Sequence, residues 1–222
     1  MVDGRLAVAA RGEGGPDVVT LADVPRPGAP VVGRPTRDGG QSDVARRILD
    51  AAAPRFYREG IRAVSADAVM ADAGVSKVTF YRHFPTKDHL VEAYLETVAA
   101  AERHAVATWR VEHDGDPRAV LAAYADQLAD QVCGAGFRGC PFLNAAAEYP
   151  DVTHPVRAVA ERHREWLRDV AEALVVELGL PEPRSVAVQL VMLRDGAMAT
   201  GAGVEPAEVG RALRRAGRAV LA

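Results

Sequence analysis

The sequence has few of the side chains on which metal sites, disulfide frameworks and thiol active sites depend. Its 222 residues include two cysteines, Cys133 and Cys140, and six histidines. The spacing of the two cysteines is not that of a zinc knuckle, and one pair of thiols does not make a disulfide framework. No apolar run approaches the roughly 18 residues that suggest a membrane-spanning helix. We therefore predict no metal, no cofactor and no membrane partner.

The sequence also lacks strand alternation and internal repeats. Gly134, Gly136 and Gly139 follow a helical pattern and not a strand, so they lack the context of a phosphate-binding loop. The N-terminus has no basic segment followed by a continuous apolar core, so we expect a cytoplasmic protein with reduced thiols. Helical periodicity remains, and it predicts an all-α fold.

Charge is distributed unevenly along the chain. The formal net charge of −3 divides into zero over residues 1–40, +2 over residues 41–90 and −5 over residues 91–222. The net-positive block is the one that could approach nucleic acid, while an acidic remainder would limit non-specific binding.

Three domains follow from composition and periodicity. Residues 1–40 hold eight Gly and five Pro and are predicted to be a disordered tail. Within the tail, the segment Gly33-Arg34-Pro35 is similar to minor-groove arms, and a solvated linker is the alternative. Residues 41–88 are predicted to form a three-helix head, and residues 89–222 a larger helical body.

The head is predicted to contain a helix from Ser42 to Gly60, a second from Ser65 to about position 72, and a third from Ser76 to His83. Pro54 interrupts the first helix pattern, so we expect a kink or strain there. Met70 lies where a small residue would let two helices approach more closely. In the body, six helices are predicted; they begin at Thr86, at Asp116-Pro117, after Pro141, near His154-Pro155, at about position 184 and at Pro206.

The run from Gly74 to Phe84 is the most informative part of the sequence. Gly74 suits a tight bend, and Phe80 and Phe84 form the apolar stripe of a short helix. The outer face then carries a cation, hydroxyls, a phenol and methyl groups, which suit phosphates and base edges in a major groove. The residues of this face are Lys77, Val78, Thr79, Tyr81 and His83.

With these motifs, residues 42–94 resemble the TetR family of bacterial repressors. The resemblance implies that Ser76 begins the recognition helix, and that Lys77, Val78 and Thr79 meet base edges. It implies phosphate contacts from Ser65, Tyr81, His83 and Lys87. It also implies a homodimer formed by the last two helices, a double-stranded DNA operator as partner, and a small-molecule inducer that binds among helices four to eight.

The residues that could line such a ligand cavity are large apolar groups and nearby polar ones. They are Trp109, Tyr124, Phe142, Asn144, Glu148, Trp166, Met192 and Asp195. Ordinary core packing is the alternative for each of them. Glu148 could contact the ligand or pair with an arginine such as Arg157. The charge of −5 on the body favours an apolar or cationic inducer.

Two other functional classes remain open at this stage. One is a ligand-independent interaction protein that uses the helical body. The other is a small helical enzyme with Cys140 as nucleophile and a histidine as base. Nothing in the sequence brings Cys133, Cys140, His154 and His163 together, so we predict a protein that is not an enzyme.

Overall fold

The computed structural model describes residues 8–9, 18–19, 33–35, 42–199 and 204–222. The regular elements over these residues are helices, apart from two paired strands of two residues each, and the predicted all-α class is confirmed. Apart from these strands and residues 33–35, the predicted disordered tail lies outside the described residues. The elements are β1 (Val8–Ala9), β2 (Val18–Val19), α1 (Asp43–Glu59), α2 (Ala66–Ala73), α3 (Lys77–His83), α4 (Lys87–Glu112), α5 (Pro117–Cys133), α6 (Pro141–Glu148), α7 (Pro155–Glu177), α8 (Pro183–Ala199) and α9 (Pro206–Val220).

The chain divides into two compact units. The described helices of the first unit are α1, α2, α3, the start of α4, all of α6 and the start of α7. The second unit contains the rest of α4 and α7, together with α5, α8 and α9. None of the described helices is long and apolar enough to cross a membrane.

The first helix of the head begins and ends at the predicted residues. The Ser42 hydroxyl accepts a hydrogen bond from the Ala45 amide at 3.4 Å, and Gly60 follows the helix with a φ of 95°. Such a φ favours glycine, because it has no Cβ to clash with the backbone. Pro54 lies inside α1, and the helix continues beyond it to Glu59. The buried face repeats every three to four residues and consists of Ala45, Ile48, Leu49, Ala52, Ala53 and Phe56.

The turn between α2 and α3 has the predicted left-handed glycine. Gly74 has φ 61° and ψ 41°, and its amide donates to the Ala71 carbonyl. The Ser76 hydroxyl then accepts from the Thr79 amide at 3.2 Å and caps α3. Phe80 and Phe84 are fully buried, so they fix which face of α3 points outward.

In the second unit α5 packs along α9 and α8. A Cβ at Gly210 on α9 would lie 2.7 Å from the Ala129 Cβ on α5, so glycine permits this close approach. Val106, Val120 and Leu174 form a buried cluster, against which Trp109, Leu121, Tyr124, Trp166 and Val170 pack.

Candidate functional site

The outward face of α3 carries four of the five side chains that the sequence assigns to it, namely Lys77, Val78, Thr79 and Tyr81. Lys77 is exposed, Val78 is 78% exposed, and Tyr81 is 39% exposed. The Tyr81 ring packs edge-on against Phe80, with centroids 5.1 Å apart. Thr79 is half-buried, and its hydroxyl lies 3.0 Å from that of Ser76.

Arg82 is an exposed cation on the same short helix that the sequence reasoning missed. Arg82 directly follows Tyr81, and a positive charge at this position of the short helix is the sequence signal that would have indicated a DNA contact. A guanidinium can bind phosphate or a guanine edge with two parallel hydrogen bonds, so Arg82 belongs with the candidate interface.

His83 does not lie on the exposed face where the sequence pattern put it. Its side chain is 9% exposed, and it makes a hydrogen bond with the backbone of Arg34. Burial lowers the pKa of His83, and the nearby charge of Arg82 lowers it further. A neutral, buried imidazole supplies no cation to a phosphate, and the hydrogen bond of His83 is made with the Arg34 backbone instead.

Residues 33–35 lie against the head. Gly33 has a φ of 68°, and a Cβ there would be 3.0 Å from the Ala45 Cβ and 3.1 Å from the Phe84 ring. The positive φ and the close approach together favour glycine at this position. The exposed Arg34 follows directly, which brings a cation near the end of the recognition helix.

Ser65 and Lys87 lie at the starts of α2 and α4. The exposed Ser65 hydroxyl accepts from the Ala68 amide at 3.1 Å. The Lys87 ammonium is half-buried and donates to the Arg62 carbonyl at 3.4 Å, and burial lowers its pKa. A phosphate contact by Lys87 would therefore have to compete with this internal hydrogen bond.

Glu148 binds the loop between α1 and α2. Its two carboxylate oxygens accept hydrogen bonds from the backbone amides of Ile61, at 2.9 Å, and Arg62, at 2.6 Å. Arg157, the ion-pair partner considered from the sequence, donates instead to the Ala146 carbonyl at 3.0 Å. Glu148 thus ties the end of α6 to the head helices of the same unit, a role that neither sequence alternative included.

We expect Glu148→Ala to lower the free energy of unfolding by about 1–3 kcal/mol, because two amides lose a charged acceptor. Thermal and denaturant unfolding of the full chain measure this. Glu92→Ala, which removes a glutamate of α4 in the same unit, is the control and should change stability less. Equal stability of the two variants would contradict the role given to Glu148.

The second unit contains a cavity of about 390 Å³. Its wall comes from α4, α5, α7, α8 and α9 and is mainly aliphatic. A volume of this size is within the range of small-molecule sites. The wall includes Val106, Val120, Leu121, Leu128, Leu167, Val170, Leu174, Val191, Leu213 and Leu221, with Tyr124 and the charged residues Arg118, Asp126, Arg194, Arg214 and Arg218.

Of the predicted ligand residues, Tyr124 lines this cavity. Trp109 and Trp166 do not belong to the cavity wall; they pack on the buried cluster of Val106, Val120 and Leu174. Met192 is 67% exposed on α8. The remaining apolar and amide candidates, Phe142 and Asn144, belong to α6 in the first unit.

Tyr124 belongs to a network of charged groups. The Tyr124 hydroxyl donates to Glu102 at 2.5 Å, and Glu102 also pairs with His163 at 3.1 Å. Arg194, 6% exposed, donates to Tyr124 and to the Asp195 carboxylate at 3.1 Å. The other carboxylate oxygen of Asp195 pairs with Arg164 at 2.8 Å.

Cys140 is a buried free thiol, and Cys133 is an exposed one. The Cys140 sulfur accepts from the Arg194 guanidinium at 3.1 Å. An arginine does not act as a general base, so this pair lacks the proton acceptor that a thiol nucleophile requires. Within the described part of the chain, no group of three His, Cys, Asp or Glu residues could hold a metal ion.

Acid should destabilise the second unit through Glu102. Burial favours its neutral form, but the hydrogen bond with His163 and the charges of Arg194 and His163 lower its pKa to about 2. A depressed carboxyl pKa adds stability that is complete above about pH 4.5 and is lost as the pH falls toward 2, up to about 3 kcal/mol. We expect Glu102→Gln to flatten the curve of unfolding free energy against pH between about pH 4.5 and 2. Glu165→Gln, at an exposed position, is the control and should leave the shape of the curve unchanged. Parallel curves for the two variants would refute the role given to Glu102.

The helices of the head resemble those of known proteins. A family model described as bacterial regulatory proteins, tetR family, matches residues 48–94, which span α2, α3, most of α1 and the start of α4. A solved TetR-family transcriptional regulator from Streptomyces coelicolor is 38% identical and superposes with a TM-score of 0.77, covering 81% of this chain and 89% of that one.

Two further relatives agree with this. The HTH-type transcriptional repressor Rv3405c of Mycobacterium tuberculosis is 28% identical over 153 residues, 68% of this chain and 78% of that protein. The reduced form of NemR from Escherichia coli superposes with a TM-score of 0.65 at 21% identity, over 80% of this chain and 95% of that chain. The last of these is a likeness of fold.

Proposed function

Since the chain belongs to the TetR family of bacterial transcriptional regulators, we propose that it is a homodimeric repressor, released from a pseudo-palindromic operator by a small molecule. The observation that carries the DNA-binding part is the capped helix α3. Its buried Phe80 and Phe84 fix the orientation, and its exposed residues are of the types that contact phosphates and bases.

We assign base contacts to Lys77, Val78 and Thr79, and phosphate contacts to Tyr81 and Arg82. Val78 offers methyl groups, which suit the methyl group of thymine. Arg34, next to Gly33, is in a position to reach an adjacent minor groove, where the narrow geometry attracts guanidinium groups.

The exposed stripe of α8 supports the dimer. Val188 is 41% exposed and Met192 67%, and Gly196 and Ala199 continue the same helical face. Small residues at the end of the stripe allow a second helix to approach closely. Other apolar residues of the last two helices are buried within the second unit itself, among them Val191, Ala197, Leu213 and Leu221.

The dimer gives the operator its expected form. Two heads related by a two-fold axis enter successive major grooves only if they are about 34–36 Å apart, or a multiple of that distance. A ligand that binds better to a dimer with another head spacing shifts the equilibrium away from DNA, by no more than its differential affinity for the two states.

A gel-shift titration with DNA from upstream of the protein's own gene tests the proposal. We expect a retarded complex of one dimer per site that survives excess unrelated DNA. Failure to retard that DNA, with binding instead to another protein or turnover of a small molecule, would favour the interaction protein or the Cys140 enzyme.

A further inference from the structure

The wall of the cavity in the second unit includes buried apolar side chains. Leu174 is 2% exposed, Leu128 5%, and Val191 7%. Burying an aliphatic group here is favourable in proportion to the area removed from water. The body of a ligand that fits this space is therefore apolar.

The charged groups of the same wall are predominantly positive. Four arginines line the cavity, against the single carboxylate of Asp126. Asp126 is paired with Arg214 at 3.2 Å, and Arg194 is occupied by Tyr124, Cys140 and Asp195 in the internal network. The two arginines that remain are Arg118 and Arg218.

Arg118 and Arg218 belong to the same end of the cavity. Arg118 is in the first turn of α5, and its guanidinium donates to the Leu221 carbonyl just beyond α9 at 3.3 Å. Arg218 is in the last turn of α9. Both are exposed, and neither has a carboxylate within ion-pair distance among the described residues. Two cations without a counter-ion at the edge of an apolar space match an anion attached to an apolar body.

We propose that this cavity binds an amphiphilic carboxylate, with the apolar part among α5, α7, α8 and α9 and the carboxylate at Arg118 and Arg218. This inference rests on the proposed release of the repressor by a ligand. It differs from the apolar or cationic ligand expected from the net charge of −5, because the local charge of the cavity wall has the opposite sign to that of the body as a whole.

Three probes of equal chain length test the charge preference on the full chain. They are decanoate, decanol and decyltrimethylammonium, each below its micelle concentration. The two tryptophans of the protein, Trp109 and Trp166, both pack beside the cluster that borders the cavity, so their fluorescence reports binding. We expect decanoate to bind at least 10-fold more tightly than decanol, and decyltrimethylammonium more weakly than either.

Substitutions of Arg118 and Arg218 test whether these two side chains bind the carboxylate. Arg118→Gln with Arg218→Gln should weaken decanoate at least 10-fold and leave decanol unchanged. The corresponding double lysine variant should retain most of the affinity, and Arg215→Gln, on α9 outside the cavity wall, should retain all of it. If the double glutamine variant unfolds, the double lysine variant and the ranking of the three probes still test the proposal. Equal affinity for all three probes, or decanoate binding unaffected by the double glutamine variant, overturns the inference.

Operator release is measured separately on the same samples. Decanoate that binds as expected but leaves operator affinity unchanged supports the ligand class and contradicts ligand release. Operator binding that is intact, together with no preference for decanoate, supports the repressor and overturns the inference about its ligand.

Discussion

We expect the replacement of Lys77, Tyr81 and Arg82 together by alanine to lower affinity for the operator by at least about 100-fold at fixed salt. Each side chain is exposed on α3, and we propose one DNA contact for each; losing a contact costs about 1–3 kcal/mol. The slope of log affinity against log salt also becomes shallower, because two cations no longer displace counterions. Fluorescence anisotropy with labelled operator measures both quantities.

The matched control removes two positive charges from the second unit. Arg168→Ala with Arg215→Ala should leave operator affinity within a few-fold of the parent, since neither residue is on the head. Circular dichroism and thermal melts establish that both sets of variants are folded. Equal operator affinity of the α3 variant and the control would show that α3 does not contact the operator.

Met192→Glu should convert the dimer to a monomer and raise the dissociation constant of the dimer by at least about 100-fold. The side chain is 67% exposed in the centre of the α8 stripe, and a glutamate there would be buried without a counter-ion in a two-fold interface. Loss of the dimer also weakens operator binding, because one head alone contacts one half-site. Analytical ultracentrifugation across micromolar concentrations measures the change.

Val176→Glu is the control for this substitution. Val176 is 57% exposed on α7, so the same charge is added to an exposed valine outside the stripe. This variant should sediment as a dimer. A parent protein that sediments as a monomer, or a dimeric Met192→Glu variant, would exclude α8 as the seam.

The helices of the head could be predicted because their signals are local. Ser42, Ser65 and Ser76 each cap the helix that follows, and Gly60 and Gly74 each follow a helix end with a positive φ. These choices depend on residues only a few positions apart, which the sequence displays directly. The apolar spacing of Phe80 and Phe84 likewise predicted the buried side of α3.

The sites that depend on distant contacts could not be read in the same way. His83 is buried through its bond to the backbone of Arg34, nearly fifty positions earlier, so its place near the exposed face was misleading. Glu148 is a surface-type residue that meets amides 86 and 87 positions away. No local sequence pattern predicts contacts between residues so far apart in the chain.

The residues of the cavity wall could not be predicted from the sequence either, for a different reason. The sequence predicted aromatic residues and Met192 as ligand contacts, whereas the wall consists mainly of leucines and valines, which are typical of an ordinary core. Its arginines, such as Arg118 and Arg218, are charged residues at helix ends, where solvent exposure is the usual interpretation. Their shared cavity follows only from the packing of α5 against α9.

Selection of binding sites from a pool of random duplex DNA tests the central claim most directly. The 222-residue chain should enrich an inverted repeat whose half-sites are centred about 10–10.5 base pairs apart, or a multiple of that spacing. The variant lacking Lys77, Tyr81 and Arg82 should enrich nothing above background. An enriched pool without a common sequence, a single half-site bound by a monomer, or the same repeat selected by the α3 variant would contradict the account.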